Sequence, residues 1–123
     1  YAPTVTATQG RELTALDSAI GRLAGGIIDF ACRRFGSDTA TIGDAGAVAA
    51  ILAPSLVRTQ QLPVRVELSG TWTRGRTIVD LRESAMDMNH DPHGPVPALV
   101  DVALDIDGPA VADLWLRTIT GRL

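Results

Sequence analysis

A short helical segment and the hairpin that follows it decide the fold. They read GDAGAVAAILAP over residues 43–54 and VRVELSGTWTRGRTIVDL over residues 64–81. The first predicts an apolar helix that is led by Asp44 and ended by Pro54. Its larger apolar residues, which we expect to face inward, are Val48, Ile51 and Leu52.

The second segment alternates with a period of two, which is typical of a half-buried strand. Its apolar side chains on one face are Val64, Val66 and Leu68, with Arg65, Glu67 and Ser69 on the other. Arg74 and Gly75 supply the turn into residues 77–81. We therefore predict an antiparallel hairpin.

Before these segments, apolar residues recur at steps of three and four, which predicts a short helix near 9–16 and a longer one near 19–35, ended by Gly36. The stripe consists of Leu13, Leu16, Ile20, Leu23, Ile27, Ala31 and Phe35. Glycine is costly inside a helix, so close approach of another backbone is the expected use of Gly21, Gly25 and Gly26. Residues 4–8 are β-like, and residues 37–43 read as a loop.

The last third of the chain continues the alternation of helix and strand. Residues 83–98, rich in Pro, predict a long loop, and residues 100–106 predict a third strand. Asp107 and Pro109 then suit the start of a final helix. The expected fold class is α/β, of a mixed α+β kind, with helices packed on a small antiparallel sheet in a single domain over 1–123.

Composition excludes several classes of function. The net charge is −3, and the 11 basic residues, all Arg, are scattered from Arg11 to Arg122, which argues against a nucleic-acid partner. No apolar run approaches the roughly 18 residues of a membrane span. One cysteine, Cys32, rules out an internal disulfide and favours a reducing, cytoplasmic setting. Because the first residue is Tyr1 and not Met, we expect the chain to begin partway through a gene product.

Asp44 is the first candidate for a functional residue, and it has two interpretations. As a helix cap, its carboxylate would accept hydrogen bonds from the first backbone amides. As a metal ligand, it would bind a hard cation such as calcium, which takes 6–8 oxygens. A lone carboxylate supplies at most two of these, so the others would come from elsewhere.

Other candidates are weaker. Residues 87–91 place oxygen donors at alternate positions, but Pro92 and Ala98 stand where a calcium loop needs Gly and Glu. His90 and His93 suit a transition metal only if their loop folds back on itself. Cys32 lies in an apolar pattern, which predicts a buried, inert thiol.

The order of these segments resembles the carboxy-terminal third of the inosine-uridine preferring nucleoside hydrolases. The matching segments are residues 23–36, 44–57, 64–70 and 72–80. The last segment is the most specific. The acid-led apolar helix of residues 44–57 is common in proteins when taken alone, but the whole order of segments is much less common. The resemblance covers nearly the whole chain.

The resemblance implies an enzyme that cleaves the N-glycosidic bond of purine or pyrimidine ribonucleosides with a calcium ion. It implies that Asp44 is a calcium ligand that also lies close to the ribose. It assigns no catalytic residue to this segment, since Gly43 stands where many members carry a His that protonates the leaving base. Ala45 replaces a common Pro.

The family's aspartate-rich amino-terminal motif has no counterpart in this sequence. We therefore expect a fragment that is inactive alone, whose partners are a nucleoside and the missing amino-terminal part, with a possible homo-oligomer through exposed apolar surface. The alternative is a non-catalytic interaction domain that docks another polypeptide on its hairpin edge. A coding sequence upstream of Tyr1 with an Asp-Thr-Asp-Pro-Gly-x-Asp-Asp segment would favour the hydrolase.

Overall fold

The computed structural model describes residues 2–82 and 97–122. In chain order the helices and strands are β1 (Thr4–Thr6), α1 (Ala7–Thr14), α2 (Ala19–Phe35), β2 (Thr39–Thr41), α3 (Gly43–Leu52), a 3₁₀ turn (Pro54–Leu56), β3 (Val57–Val66), β4 (Thr77–Val79), β5 (Ala98–Ile106) and α4 (Gly108–Thr120). The mixed α/β fold class with small antiparallel sheets is confirmed.

The chain forms two compact units. The first contains Tyr1–Arg58 and Asp105–Leu123, and the second contains Thr59–Leu104. The organisation as a single domain stays a prediction. Within the described part of the chain, no helix is both long and apolar enough to cross a lipid bilayer.

The core of the first unit lies where α2 covers a two-stranded sheet. β1 and β2 pair antiparallel, with Val5 opposite Ala40. These two side chains are buried together with Ile28 and Cys32 of α2. The expected loop over 37–43 was wrong in part, because β2 forms there by pairing with the distant β1.

Two glycines of α2 allow α1 to approach closely. A Cβ atom on Gly21 would lie 2.8 Å from the carbonyl oxygen of Leu13, and one on Gly25 would lie 2.6 Å from the backbone nitrogen of Thr14. The predicted use of these glycines is confirmed. For Gly26 it was wrong, since a Cβ there would meet no atom within 4 Å.

The face of α2 that packs inward differs from the predicted stripe. Its buried residues are Gly21, Ala24, Gly25, Ile28 and Cys32. Ile20, Leu23, Ile27 and Phe35 of the predicted stripe are exposed. Gly21 and Gly25 lie on the inner face because α1 is so close there that a larger side chain would overlap its backbone.

In α3, too, the buried face differs from the predicted one. It buries Gly46 and Ala49, whereas Val48, Ile51 and Leu52 are exposed, so the predicted inward face was wrong. A Cβ on Gly46 would lie 3.1 Å from Cδ1 of Ile106, which explains why the smallest residue occupies this contact.

The second unit contains the predicted hairpin. β3 pairs antiparallel with β4, with Val64 opposite Val79 and Val66 opposite Thr77, and β3 lies between β4 and β5. Gly75 adopts φ +85° in the connection. β3 ends at Val66, so Leu68 lies beyond the strand and is exposed, contrary to its predicted place on the apolar face.

Candidate functional site

Asp44 is the second residue of α3 and is exposed. The helix begins at Gly43 after Ile42, and no side-chain hydrogen bond caps it. The capping interpretation of Asp44 was therefore wrong, because the helix begins at Gly43, two residues earlier than a cap at position 44 requires. Its carboxylate lies in the first turn, near the positive end of the helix dipole.

The side chain of Asp44 borders an apolar groove between α3 and α4. The groove has a volume of about 360 Å³. Its larger apolar lining residues are Val48, Leu52, Leu114, Trp115 and Ile119. A carboxylate beside an apolar wall can bind a cation or a hydroxyl group while the wall contacts a flat apolar group.

Contacts at the first residues of α4 position this helix beside α3. The Asp107 carboxylate accepts a hydrogen bond from the backbone amide of Ala110 at 3.0 Å, and Pro109 occupies the first turn. The predicted helix start is confirmed. The backbone amide of Asp107 also donates to the carbonyl oxygen of Leu56 at 2.9 Å, which ties the start of α4 to the turn that follows α3.

The donors around Asp44 do not complete a calcium site by themselves. Among residues 2–82 and 97–122, no group of three or more His, Cys, Asp or Glu side chains could hold a metal ion. Calcium takes 6–8 oxygens and one carboxylate offers two at most. Asp44 alone therefore does not fit this cation.

Among the described residues, the other sequence candidate is Cys32, which does not line the groove beside Asp44. Cys32 is buried in the core cluster, as predicted. The calcium-loop candidate at residues 87–91 lies outside the described residues. The same is true of the transition-metal candidates His90 and His93.

Sequence reasoning missed two carboxylates that hold turns in the second unit. Ser69 and Gly70 donate backbone hydrogen bonds to Glu67, which lowers the pKa of that carboxyl. Arg82 bonds Asp80 through its side chain and its backbone amide, which lowers the pKa of Asp80 to about 2. For Asp80 the sequence signal was present, since an Asp side chain commonly accepts a hydrogen bond from the backbone amide two residues on.

A sequence profile of the inosine-uridine preferring nucleoside hydrolases matches residues 3–113. The chain belongs to this family. The match covers β1 through the first half of α4, and therefore Asp44 and the α3 side of the groove. No curated protein matched the chain.

Solved nucleoside hydrolase structures are similar in fold. A purine-preferring ribonucleoside hydrolase from Gardnerella vaginalis has a TM-score of 0.73 and 25% identity, over 98% of this chain and 36% of that one. A plant nucleoside hydrolase has a TM-score of 0.71 and 23% identity, over 96% and 37%. An inosine-guanosine nucleoside hydrolase has a TM-score of 0.70 and 22% identity, over 98% and 36%. The chain spans little more than a third of each.

Proposed function

We propose that this chain is the carboxy-terminal part of a nucleoside hydrolase, in which Asp44 contributes oxygens to a calcium site and contacts the ribose. The observation that carries the proposal is the family match over residues 3–113, which includes an exposed Asp44 at the edge of a groove. The reaction is hydrolysis of the N-glycosidic bond of a purine or pyrimidine ribonucleoside.

The local geometry around Asp44 supports this role. A carboxylate that does not cap its own helix has oxygens available for an external ligand, and Asp44 is such a group. A calcium ion at this site would fix the ribose hydroxyls and the attacking water. The remaining calcium oxygens would come from another part of the same polypeptide, as 6–8 are needed.

Gly43 limits what this segment can do for the leaving base. Glycine has no side chain that could donate a proton, so an acid for the departing base would lie elsewhere. The contribution of this chain to the reaction is then to position the calcium ion and the ribose through Asp44. A cytoplasmic location is part of the proposal, in keeping with the thiol of Cys32.

The first experiment uses the 123-residue chain alone. We expect no turnover of inosine or uridine with calcium present, and no tight calcium binding by isothermal titration calorimetry, because most calcium oxygens are supplied from outside the chain. Appreciable hydrolysis, or tight calcium binding, would contradict the incomplete site.

The second experiment compares two substitutions in the complete gene product. Asp44→Asn keeps the size of the side chain but removes its charge, and we expect it to lower kcat/KM for nucleosides by roughly a hundredfold or more and to weaken calcium binding. Asp38→Asn, another exposed carboxylate of the first unit, is the matched control. Equal effects of the two substitutions would refute the role of Asp44.

A further inference from the structure

α3 is apolar on every side. Its sequence GDAGAVAAIL contains one polar residue, Asp44, among glycine, alanine and larger apolar residues. A helix at the surface of a finished domain keeps a polar side, whereas a helix that is apolar all round belongs in the core of a larger protein. The residues of α3 that are buried in this chain are Gly46 and Ala49. The remaining apolar surface of the helix therefore indicates contact with further protein.

Asp44 lies on the same exposed side of α3 as its large apolar residues. Asp44, Val48 and Ile51 follow one another at steps of four and three, which places them on one face of the helix. Ala47 lies beside them. We call these four residues the α3 outer face, and all four are exposed, with Ile51 at 81%. Protein that covers the apolar part of this face therefore also passes beside the Asp44 carboxylate.

The first unit cannot cover the α3 outer face by turning the helix. Gly46 lies on the opposite side of α3, where an added Cβ atom would lie 3.1 Å from Cδ1 of Ile106. Rotation would bring side chains as large as Ile51 into a contact that is already tight for a single added carbon. The packing of α3 on the first unit thus fixes the outer face in its outward direction.

The α3 outer face continues into the groove between α3 and α4. Asp44 and Val48 belong to both surfaces, and the α4 wall of the groove includes Leu114, Trp115 and Ile119. Exposed apolar residues scattered singly are ordinary, but a contiguous apolar surface indicates an interaction site. The groove adds a recess of about 360 Å³ in which side chains of a docked segment would be buried.

Two observations favour further residues of the same polypeptide over a second copy of this chain. The chain spans 36% or 37% of each of the three similar structures, so most of each structure lies outside the matched part. A second copy would bring another Asp44, and two carboxylates offer fewer oxygens than calcium takes. Among residues 2–82 and 97–122, no group of three or more His, Cys, Asp or Glu side chains could supply the others.

From this geometry we propose that the α3 outer face and the adjoining groove bind the amino-terminal part of the same polypeptide, and that this contact brings further oxygen donors to Asp44. The identity of the occupant rests on the proposed function. The burial of Ile51 is measured without any substrate, so the docking and the hydrolase activity can fail independently.

Thiol labelling of Ile51→Cys in the complete gene product tests the docking. The matched control is Asp113→Cys, on the polar side of α4, where the Asp113 side chain is 64% exposed. With N-ethylmaleimide and site-resolved mass spectrometry, we expect position 51 to react at least about tenfold more slowly than position 113. In the 123-residue chain the two rates should agree within about threefold, because both positions are then exposed. The native Cys32 is buried.

Two labelling results would overturn the proposal. Equally fast reaction at positions 51 and 113 of the complete gene product would show that nothing covers the α3 outer face. Protection of position 51 that disappears on dilution would assign the face to a second copy. If position 51 is protected but the protein hydrolyses no nucleoside, the docking holds and the proposed function is wrong.

Thermal unfolding of Ile51→Ala is a second test that needs no added thiol. In the complete gene product the truncation leaves a cavity, so we expect the Tm to fall by about 3 °C or more. In the 123-residue chain, where Ile51 is exposed, the shift should stay below about 2 °C. The control Asp113→Ala should shift the Tm by less than about 2 °C in both proteins. Small shifts for Ile51→Ala in both proteins would overturn the docking.

Discussion

Adding one methyl group to Gly25 should disrupt the packing of α1 on α2, whereas adding it to the next residue, Gly26, should not. In Gly25→Ala the new Cβ would meet the hydroxyl of Thr14 and the carbonyl oxygen of Gly10, and would lie 2.6 Å from the backbone nitrogen of Thr14. Two of these atoms belong to the backbone and cannot rotate away. In Gly26→Ala no atom lies within 4 Å of the new Cβ.

The expected change in the free energy of unfolding of each variant is the sum of two opposing contributions. Replacing glycine by alanine inside a helix stabilises it by about 0.5–1 kcal/mol. Overpacking at a close contact costs about 1–3 kcal/mol. Gly25→Ala should therefore lower the free energy of unfolding by about 1–2 kcal/mol, while Gly26→Ala should raise it by about 0.5–1 kcal/mol.

Urea unfolding followed by circular dichroism measures both variants at one protein concentration. With a typical urea dependence for a small protein, their midpoints should differ by about 1–2 M, with wild type between them. If Gly25→Ala is as stable as Gly26→Ala, the close approach of α1 and α2 is incorrect.

Two further predictions concern acidic side chains. Because its hydrogen bonds with Arg82 lower the pKa of Asp80 from 3.8 to about 2, the stability that this carboxylate contributes is complete above pH 3.8 and is lost as the pH falls through 2. Carboxyl NMR titration should give a midpoint near 2 that Asp80→Asn removes, and a midpoint near 3.8 would contradict the contact. Asp107→Ala should lower the free energy of unfolding by about 1 kcal/mol through loss of the helix cap, measured in urea. Asp101→Ala, at an exposed strand position, should change it much less, and equal losses would exclude the cap.

Local sequence signals predicted the helices well. Gly36 ends α2 with φ +60°, as the sequence indicated, and Ser18 accepts a hydrogen bond from the amide of Gly21 at the start of this helix. Asp107 and Pro109 likewise marked the start of α4. β2 was missed because three residues carry no clear pattern, and its formation depends on pairing with the distant β1.

The inward faces of α2 and α3 could not be predicted from their large apolar residues. Both helices have apolar residues on more than one side, and Gly25 and Gly46 lie where neighbouring atoms come closest. The large apolar residues Leu23 of α2 and Ile51 of α3 are instead exposed. For the site, the sequence predicted a carboxylate in the first turn of α3, but the groove beside Asp44 depends on the placement of α4.

The role of Asp44 is tested most directly by nucleoside hydrolysis in the complete gene product, assayed over a calcium titration. Our account predicts calcium-dependent turnover that Asp44→Asn reduces by roughly a hundredfold or more, with a higher calcium requirement, while Asp38→Asn behaves as wild type. Absence of hydrolysis by the complete gene product, or full activity of Asp44→Asn, would contradict it.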